Sequence, residues 1–209
     1  MIAYTIEAAL SSELFDQVLV STDSEVIAAT ARKCGAEAPF LRDTKLADDH
    51  TPVSAVTVDA LNRVDPDGSR YDYVAQLMPN CPLRNAEDVR NSYEAFARGR
   101  AASQISISRY GWQSPWWAMQ LSESHHLEPV FEHLVTERSQ DLPDLFCPTG
   151  AIWWATAEVL RRGGTFHIPG RSGWEIAWQH ATDIDSEEDF SLAEMLMRSS
   201  LRKAIAHVF

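Results

Sequence analysis

Apolar positions along this chain recur in short blocks whose spacing switches between helical and strand periods. Ile2, Ile6, Ala9 and Leu10 fall at i, i+4, i+7 and i+8, which predicts an amphipathic helix over residues 2–10. Residues 16–21 hold Val18-Leu19-Val20 and read as a strand. Residues 25–34 form a second helical pattern, stopped by Gly35. Residues 51–61 are helix-like and end before the turn Asp65-Pro66-Asp67-Gly68. Residues 73–78 read as a strand broken by Pro79 and Pro82, and Asn85 is placed to cap a helix through residue 97. Residues 103–109 alternate like a strand. Residues 150–155 form an apolar strand, followed by a helix over 157–162 and a last helix over 187–199.

Strands that alternate with helices imply an α/β fold on a mainly parallel sheet. In such sheets ligands sit outside the carboxyl ends of the strands. Ser21-Thr22-Asp23 and residues 79–84 are therefore the loops to examine. Residues 111–148 break the pattern. They carry Trp112, Trp116, Trp117, Phe131 and Phe146 with few helix or strand signals. Tryptophan is enriched at interfaces, so this segment reads equally as an excursion toward a partner subunit or as core packing within one chain.

The chain has 209 residues and a formal net charge of −12. That length suits one domain with a core of its own. The acidic balance, with a sequence pI near 4.9, argues against sequence-independent nucleic-acid binding, which needs surplus Lys and Arg. No apolar run approaches the roughly 18 residues of a membrane helix, and no signal peptide is read at the N-terminus. Cys34, Cys81 and Cys147 are odd in number and far apart, so free thiols in a reducing cytoplasm are expected. His125, His126 and His133 have no carboxylate spacing that makes a metal site, and a surface or interface role is expected for them.

The best local candidate for chemistry is Asp183-Ile184-Asp185. In extended chain, residues i and i+2 share a face, so the two carboxylates stand side by side. Two hard oxygen ligands suit Mg²⁺, which completes its shell with water and phosphate oxygens. The competing reading is that these acids serve only the start of the last helix, where Ser186-Glu187-Glu188-Asp189 forms a capping pattern. Arg138-Ser139-Gln140-Asp141 gathers a guanidinium, an amide and a carboxylate. Either it receives an acidic ligand or it is a surface turn before Pro143. No Gly-x-Ser-x-Gly, His-Glu-x-x-His or Walker loop is present.

Seven segments, in order, resemble motifs of the acylneuraminate cytidylyltransferase family, the enzymes that make CMP-activated nonulosonic acids such as CMP-sialic acid. They are residues 1–10, the strand ending Val20-Ser21-Thr22-Asp23, Leu41-Arg42 with Leu46-Ala47-Asp48-Asp49-His50-Thr51, and Met78-Pro79-Asn80-Cys81-Pro82-Leu83-Arg84. Residues 138–143, Pro148-Thr149-Gly150-Ala151-Ile152 and residues 183–189 complete the set.

The resemblance implies a Rossmann-like nucleotidyltransferase fold over residues 1–209, with 111–148 as a dimerisation excursion. It implies CTP and an acidic nine-carbon sugar as substrates. Asp183 and Asp185 would hold Mg²⁺, Arg42 and Thr51 would lie near the nucleotide, and Arg138 and Gln140 would face the sugar. The reaction implied is attack of the sugar's anomeric hydroxyl on the α-phosphate of CTP, releasing pyrophosphate.

The chain also departs from the family pattern. The family's opening strand and Leu-x-Ala-Arg-x-x-Ser-Lys loop, which clamp the CTP phosphates, have no counterpart here. The expectation is a reading frame begun at an internal methionine and a 209-residue form crippled in CTP turnover. Met78 stands where the family has glutamine, and Asn80, Cys81 and Thr149 also differ. A catalytically inactive homologue that binds sugar or partner is the alternative. Transfer to the eight-carbon acid of lipopolysaccharide is a third reading.

Overall fold

The computed structural model describes residues 1–206, with side chains through residue 200. Helix α1 (Ile2–Ser12) ends at Glu13 and is followed by α2 (Glu25–Lys33), whose N-cap is Ser24. Next come α3 (Val53–Val64), β1 (Tyr73–Gln76) and α4 (Ala86–Arg98). Asn85 and Asp88 close a reciprocal capping box on α4, as the sequence led us to expect at that start. The chain continues through β2 (Ser103–Arg109), a hairpin of β3 (Met119–Leu121) and β4 (Leu127–Pro129), and β5 (Phe146–Thr156). It ends with α5 (Ala157–Gly163), β6 (Ser172–Glu175) and α6 (Glu187–Ala206).

The main sheet has the order β1-β5-β2-β6. β1, β2 and β6 run in one direction, and β5 runs against them between β1 and β2. The common strand direction expected for an α/β sheet therefore holds for three strands, with one reversed. β5 reverses because the chain leaves β2 at Arg109 and returns directly beside it at Phe146, with no crossover helix. The expected strand at 16–21 is reduced to an extended segment. Its Val18 carbonyl accepts from Glu37 and its Val20 N–H donates to the Glu37 carbonyl, both at 2.8 Å. Among the described residues it has no further ladder partner, so it remains an isolated bridge.

Alternation along β5 divides the core. Ile152 and Trp154 face Val89 and Phe96 of α4. Trp153 faces the opposite way, toward Leu61 of α3, Leu160 of α5 and Phe166. The result is helix, sheet, helix, with α1 lying against both α2 and α4. Because β1, β2 and β6 share a direction, their carboxyl ends lie along one edge. The segments leaving that edge are 77–85, 110–145 and 176–186.

The 110–145 segment departs where Tyr110 N–H bonds to the Leu145 carbonyl. It carries the β3–β4 hairpin and short 3₁₀ turns, and Trp116 and Trp117 donate to the Pro143 and Glu137 carbonyls. Trp112 is 87% exposed, and Met119, Leu121, Leu127 and Val130 are also exposed. His125, His126 and His133 lie on its surface. Among the described residues no helix is long and apolar enough to cross a membrane.

Candidate active site

The strongest convergence of site residues lies at the shared carboxyl edge. The segment after β1 turns tightly, with Cys81 N–H bonding to the Met78 carbonyl at 3.3 Å between Pro79 and Pro82. Its far end is anchored by Arg84. The Arg84 guanidinium donates to the Ala151 carbonyl, the Thr5 hydroxyl and the Met78 carbonyl at 2.9, 2.6 and 2.7 Å. Burial pushes this guanidinium down to about 10, against the opposing pull of Cys81 and Asp88. Met78 lies over Gly150. A Cβ there would stand 2.5 Å from Met78 Sδ and would push the thioether aside.

Asp183-Ile184-Asp185 leans on this turn. Ile184 N–H donates to the Asn80 carbonyl at 3.0 Å. Cys81 Sγ lies 3.5 Å from Asp183 Oδ1, and Asn80 Nδ2 lies 3.5 Å from Asp185 Oδ1. Both carboxylates remain exposed on their outer side. The Asp183 carboxyl is raised above the usual carboxylate range. Desolvation against the turn is the main cause; the Cys81 contact opposes it, and the charges of Asp185 and Asp189 add to it. Burial, and then the Asp183 charge, pushes the Cys81 thiol up to about 12, so it stands as an S–H donor. Beyond the pair, Asp189 accepts from Asp185 N–H, Ser186 N–H and Ser186 Oγ, fixing the start of α6. The acids therefore divide their work: Asp189 caps the helix while Asp183 and Asp185 face outward.

The other candidates fall into separate local groups. Arg42 N–H bonds to the Thr22 carbonyl at 2.8 Å, and its Nη2 lies 3.5 Å from Asp23 Oδ1. Its Nε is buried without a partner. Thr51 donates from its N–H and its hydroxyl to Asp48 Oδ1 at 2.6 and 2.9 Å. Together with the His50 N–H, which contributes most, these bonds hold the Asp48 carboxyl below its usual range. Arg138 lies in the 110–145 excursion, exposed, with Nε 3.7 Å from Asp141 Oδ2. With its amide turned to the satisfied orientation, Gln140 accepts from Arg138 Nε at 2.7 Å. Among the described residues no hydrogen bond or ion pair joins Arg138 or Gln140 to Asp183 or Asp185.

Two features escaped sequence reasoning. Asn80 and Cys81, noted only as departures from a motif, turn out to be the cross-chain partners of the carboxylates. An open cleft of about 540 Å³ at the ends of β2 and β6 is lined by Arg109, Glu175, Trp178 and Gln179. Arg109 there reaches Asp144 at 2.6 Å and Glu175 at 3.5 Å.

Comparison with known proteins shows the family. The sequence model of the cytidylyltransferase family matches residues 1–106. A pseudaminic acid cytidylyltransferase of Campylobacter jejuni is 30% identical, over 95% of this chain and 85% of its own length. A CMP-N,N'-diacetyllegionaminic acid synthase of Legionella pneumophila is 30% identical, over 94% of this chain and 84% of its own. In fold, a CMP:2-keto-3-deoxy-manno-octonic acid synthetase solved with CTP superposes with a TM-score of 0.67 at 13% identity, covering 95% of this chain and 88% of that one.

The fold is that of a helix-flanked mixed sheet, and the chain belongs to the cytidylyltransferase family, a class of nucleotidyltransferases. Within that family it groups with the CMP-nonulosonate synthetases, as its motifs suggested, and is an enzyme of the acylneuraminate cytidylyltransferase type.

Proposed function

We propose that this chain transfers CMP from CTP to a nonulosonic acid, with Asp183 and Asp185 holding the Mg²⁺ that the reaction uses. The observation that carries this reading is the pair itself, held at the carboxyl edge of the sheet by a turn more than 100 positions away in the chain. The residues fit the ion. Two exposed carboxylates supply hard oxygens, and the Asp183 carboxyl, crowded by Asp185 and Asp189, gains from a nearby cation. Among the described residues no group of three or more His, Cys, Asp or Glu is placed to hold a metal, so water and phosphate oxygens would have to complete the shell of an ion at the pair. Asp183 and Asp185 would hold such an ion, which would supply positive charge against the triphosphate.

In this reading the sugar's anomeric hydroxyl attacks the α-phosphorus, its proton is lost and pyrophosphate leaves. Arg42 takes the nucleotide side. Among the described residues its buried Nε lacks a partner and its one ion pair, to Asp23, is long, so the guanidinium keeps donors for an anion. Thr51, tied to Asp48 in a separate local group, is assigned to the nucleotide on the family resemblance. Arg138, exposed and paired with Gln140, receives the carboxylate of the sugar. The single domain works in the cytoplasm as a homodimer. The 111–148 segment supplies the contact, because its exposed Trp112, Leu121 and Leu127 form an apolar surface that a second copy would cover.

Pyrophosphate release with CTP, Mg²⁺ and a panel of pseudaminic, legionaminic and sialic acids tests the reading. Release with one sugar, lost about 10²-fold or more in Asp183→Asn or Asp185→Asn, supports it. Release that Asp183→Asn and Asp185→Asn leave unchanged overturns the role of the pair, whereas silence with every acid is the outcome expected of a form crippled in CTP turnover. Light scattering of the purified chain reads the dimer.

A further inference from the structure

The Asp183-Ile184-Asp185 segment has no cation of its own: among the described residues neither carboxylate makes an ion pair. Three contacts seat it on the rest of the fold, and all of them come from one dipeptide. The Asn80 carbonyl takes the Ile184 N–H at 3.0 Å and so fixes the height of the segment. The Cys81 thiol, 3.5 Å from Asp183 Oδ1, meets one carboxylate. The Asn80 carboxamide, 3.5 Å from Asp185 Oδ1, meets the other.

The dipeptide is itself rigidly held. Cys81 is fully buried among Val89, Ala151 and Ile176. Pro79 and Pro82 restrict the backbone on either side, and Arg84 ties the turn to α1 and β5. A carboxylate free to rotate loses orientational entropy when it binds a cation. One already held by an outer hydrogen bond does not, and such partners typically change metal affinity about 10- to 100-fold.

We propose that Asn80 and Cys81 are positioning residues for the Asp183–Asp185 pair, Cys81 holding the Asp183 carboxylate and Asn80 reaching both. The proposal rests on the reading of the pair as the cation site. It assigns the buried thiol the role of a hydrogen-bond donor rather than of filler or nucleophile. A thiol donates weakly, so the effect of Cys81 belongs at the lower end of the range.

The test is a Mn²⁺ titration of the full purified chain, without substrate, read by electron paramagnetic resonance. Thermal melts of each variant show that it is folded. Cys81→Ala is expected to raise the Mn²⁺ Kd about tenfold, and Cys81→Ser, which keeps a donor, to return it to within about threefold. Cys81→Ala should add nothing in an Asp183→Asn background, because the thiol acts only through that carboxylate. Asn80→Ala, in a partly exposed turn, gives a second variant that does not disturb the core. It should weaken Mn²⁺ binding in the wild-type background and lose part of its effect beside Asp185→Asn, the rest acting through Asp183. Wild-type Mn²⁺ affinity in both Cys81→Ala and Asn80→Ala overturns the proposal. Equal weakening by Ala and Ser at position 81 overturns the donor role of the thiol. A wild-type chain that binds Mn²⁺ no better than Asp183→Asn overturns the cation reading itself, and the positioning role with it.

Discussion

The Arg84 guanidinium donates a 2.6 Å hydrogen bond to the Thr5 hydroxyl, 79 positions earlier in the chain. The same side chain reaches the carbonyls of Met78 and Ala151, so one buried cation joins α1, the turn after β1 and the middle of β5. No carboxylate among the described residues neutralises it directly. Its three acceptors stabilise it in place of a counter-ion, as burial otherwise disfavours the charge. The turn that seats the carboxylate pair is therefore held by a residue outside the site.

Arg84→Met should cost about 3 kcal/mol of stability, because it removes the donor to the buried Ala151 carbonyl and Thr5 hydroxyl and one of two donors to the Met78 carbonyl. Thr5→Val removes a single acceptor and should cost about 1 kcal/mol. Urea denaturation of the two variants gives both values. Equal losses would mean that the Thr5 contact carries the whole effect of Arg84.

Gly150 and Met78 form a second coupled pair. A Cβ at Gly150 would stand 2.5 Å from Met78 Sδ and 3.4 Å from Met78 Cβ. The thioether is the group that must be pushed aside, since the Cβ contact is at ordinary van der Waals distance. Gly150→Ala should therefore destabilise by about 1–2 kcal/mol through overpacking. Met78→Ala in the same chain should recover most of that loss, giving a coupling of about 1 kcal/mol in a double-mutant cycle. Additive losses would show that Met78 is not what Gly150 accommodates.

Local periodicity made some elements plain and left others silent. β2 occupies the residues, 103–109, at which the alternation begins and ends, and Asn85 caps α4 because its side chain and that of Asp88 satisfy each other's N–H groups. β6, Ser-Gly-Trp-Glu, has no β-branched residue to announce it. Gly173 is there because a Cβ would meet Ile107 Cδ1 of β2 at 2.7 Å, a constraint that exists only once the strands are paired. The strand-like composition at 16–21 was genuine, but a ladder needs a partner, and only Glu37 offers one. The direction of β5 carries no local signature, since the long excursion before it permits either sense. In the site, alternation alone placed Asp183 and Asp185 on one face. Their partners Asn80 and Cys81 lie 102 to 105 positions away, beyond the reach of any periodicity.

Asp65 makes the turn after α3 sensitive to acid. Its carboxylate is buried and accepts from the Ser69, Arg70 and Tyr71 N–H groups at 3.0, 3.2 and 3.4 Å, while Arg161 Nη2 lies 2.8 Å away. Desolvation raises its carboxyl, but the backbone donors and the Arg161 charge outweigh this and leave it below its ordinary value. A depressed carboxyl stabilises the fold above its unfolded value of about 3.9, and that contribution is lost as pH falls through the folded value. Asp65→Asn should therefore melt below wild type at neutral pH, with the gap closing in acid. A gap that stays constant down to about pH 3 would show that the turn depends on shape and not on charge.

His180 gives the opposite sign. Its Nδ1 lies 2.8 Å from Asp88 Oδ2, the same oxygen that accepts the Asn85 N–H at 2.9 Å in the cap of α4. The contact thus links the segment leading to Asp183 with the helix that follows the Asn80–Cys81 turn. The hydrogen bond to Asp88 raises the His180 value most, burial opposes it, and the charges of Asp88 and Glu87 add to the rise. A histidine raised in the folded state stabilises fully below its unfolded value of about 6.5. That contribution disappears as pH climbs through the higher folded value, so the window opens at about 6.5 and extends upward. His180→Gln keeps a donor for Asp88 but cannot take up a proton. Melting curves at about pH 5.5, 6.5 and 8 should show wild type more stable than His180→Gln at the acid end and the two converging at the alkaline end. Parallel pH profiles would mean that the imidazole serves only as a neutral hydrogen-bonding group, and that the link between α4 and the carboxylate segment does not respond to pH.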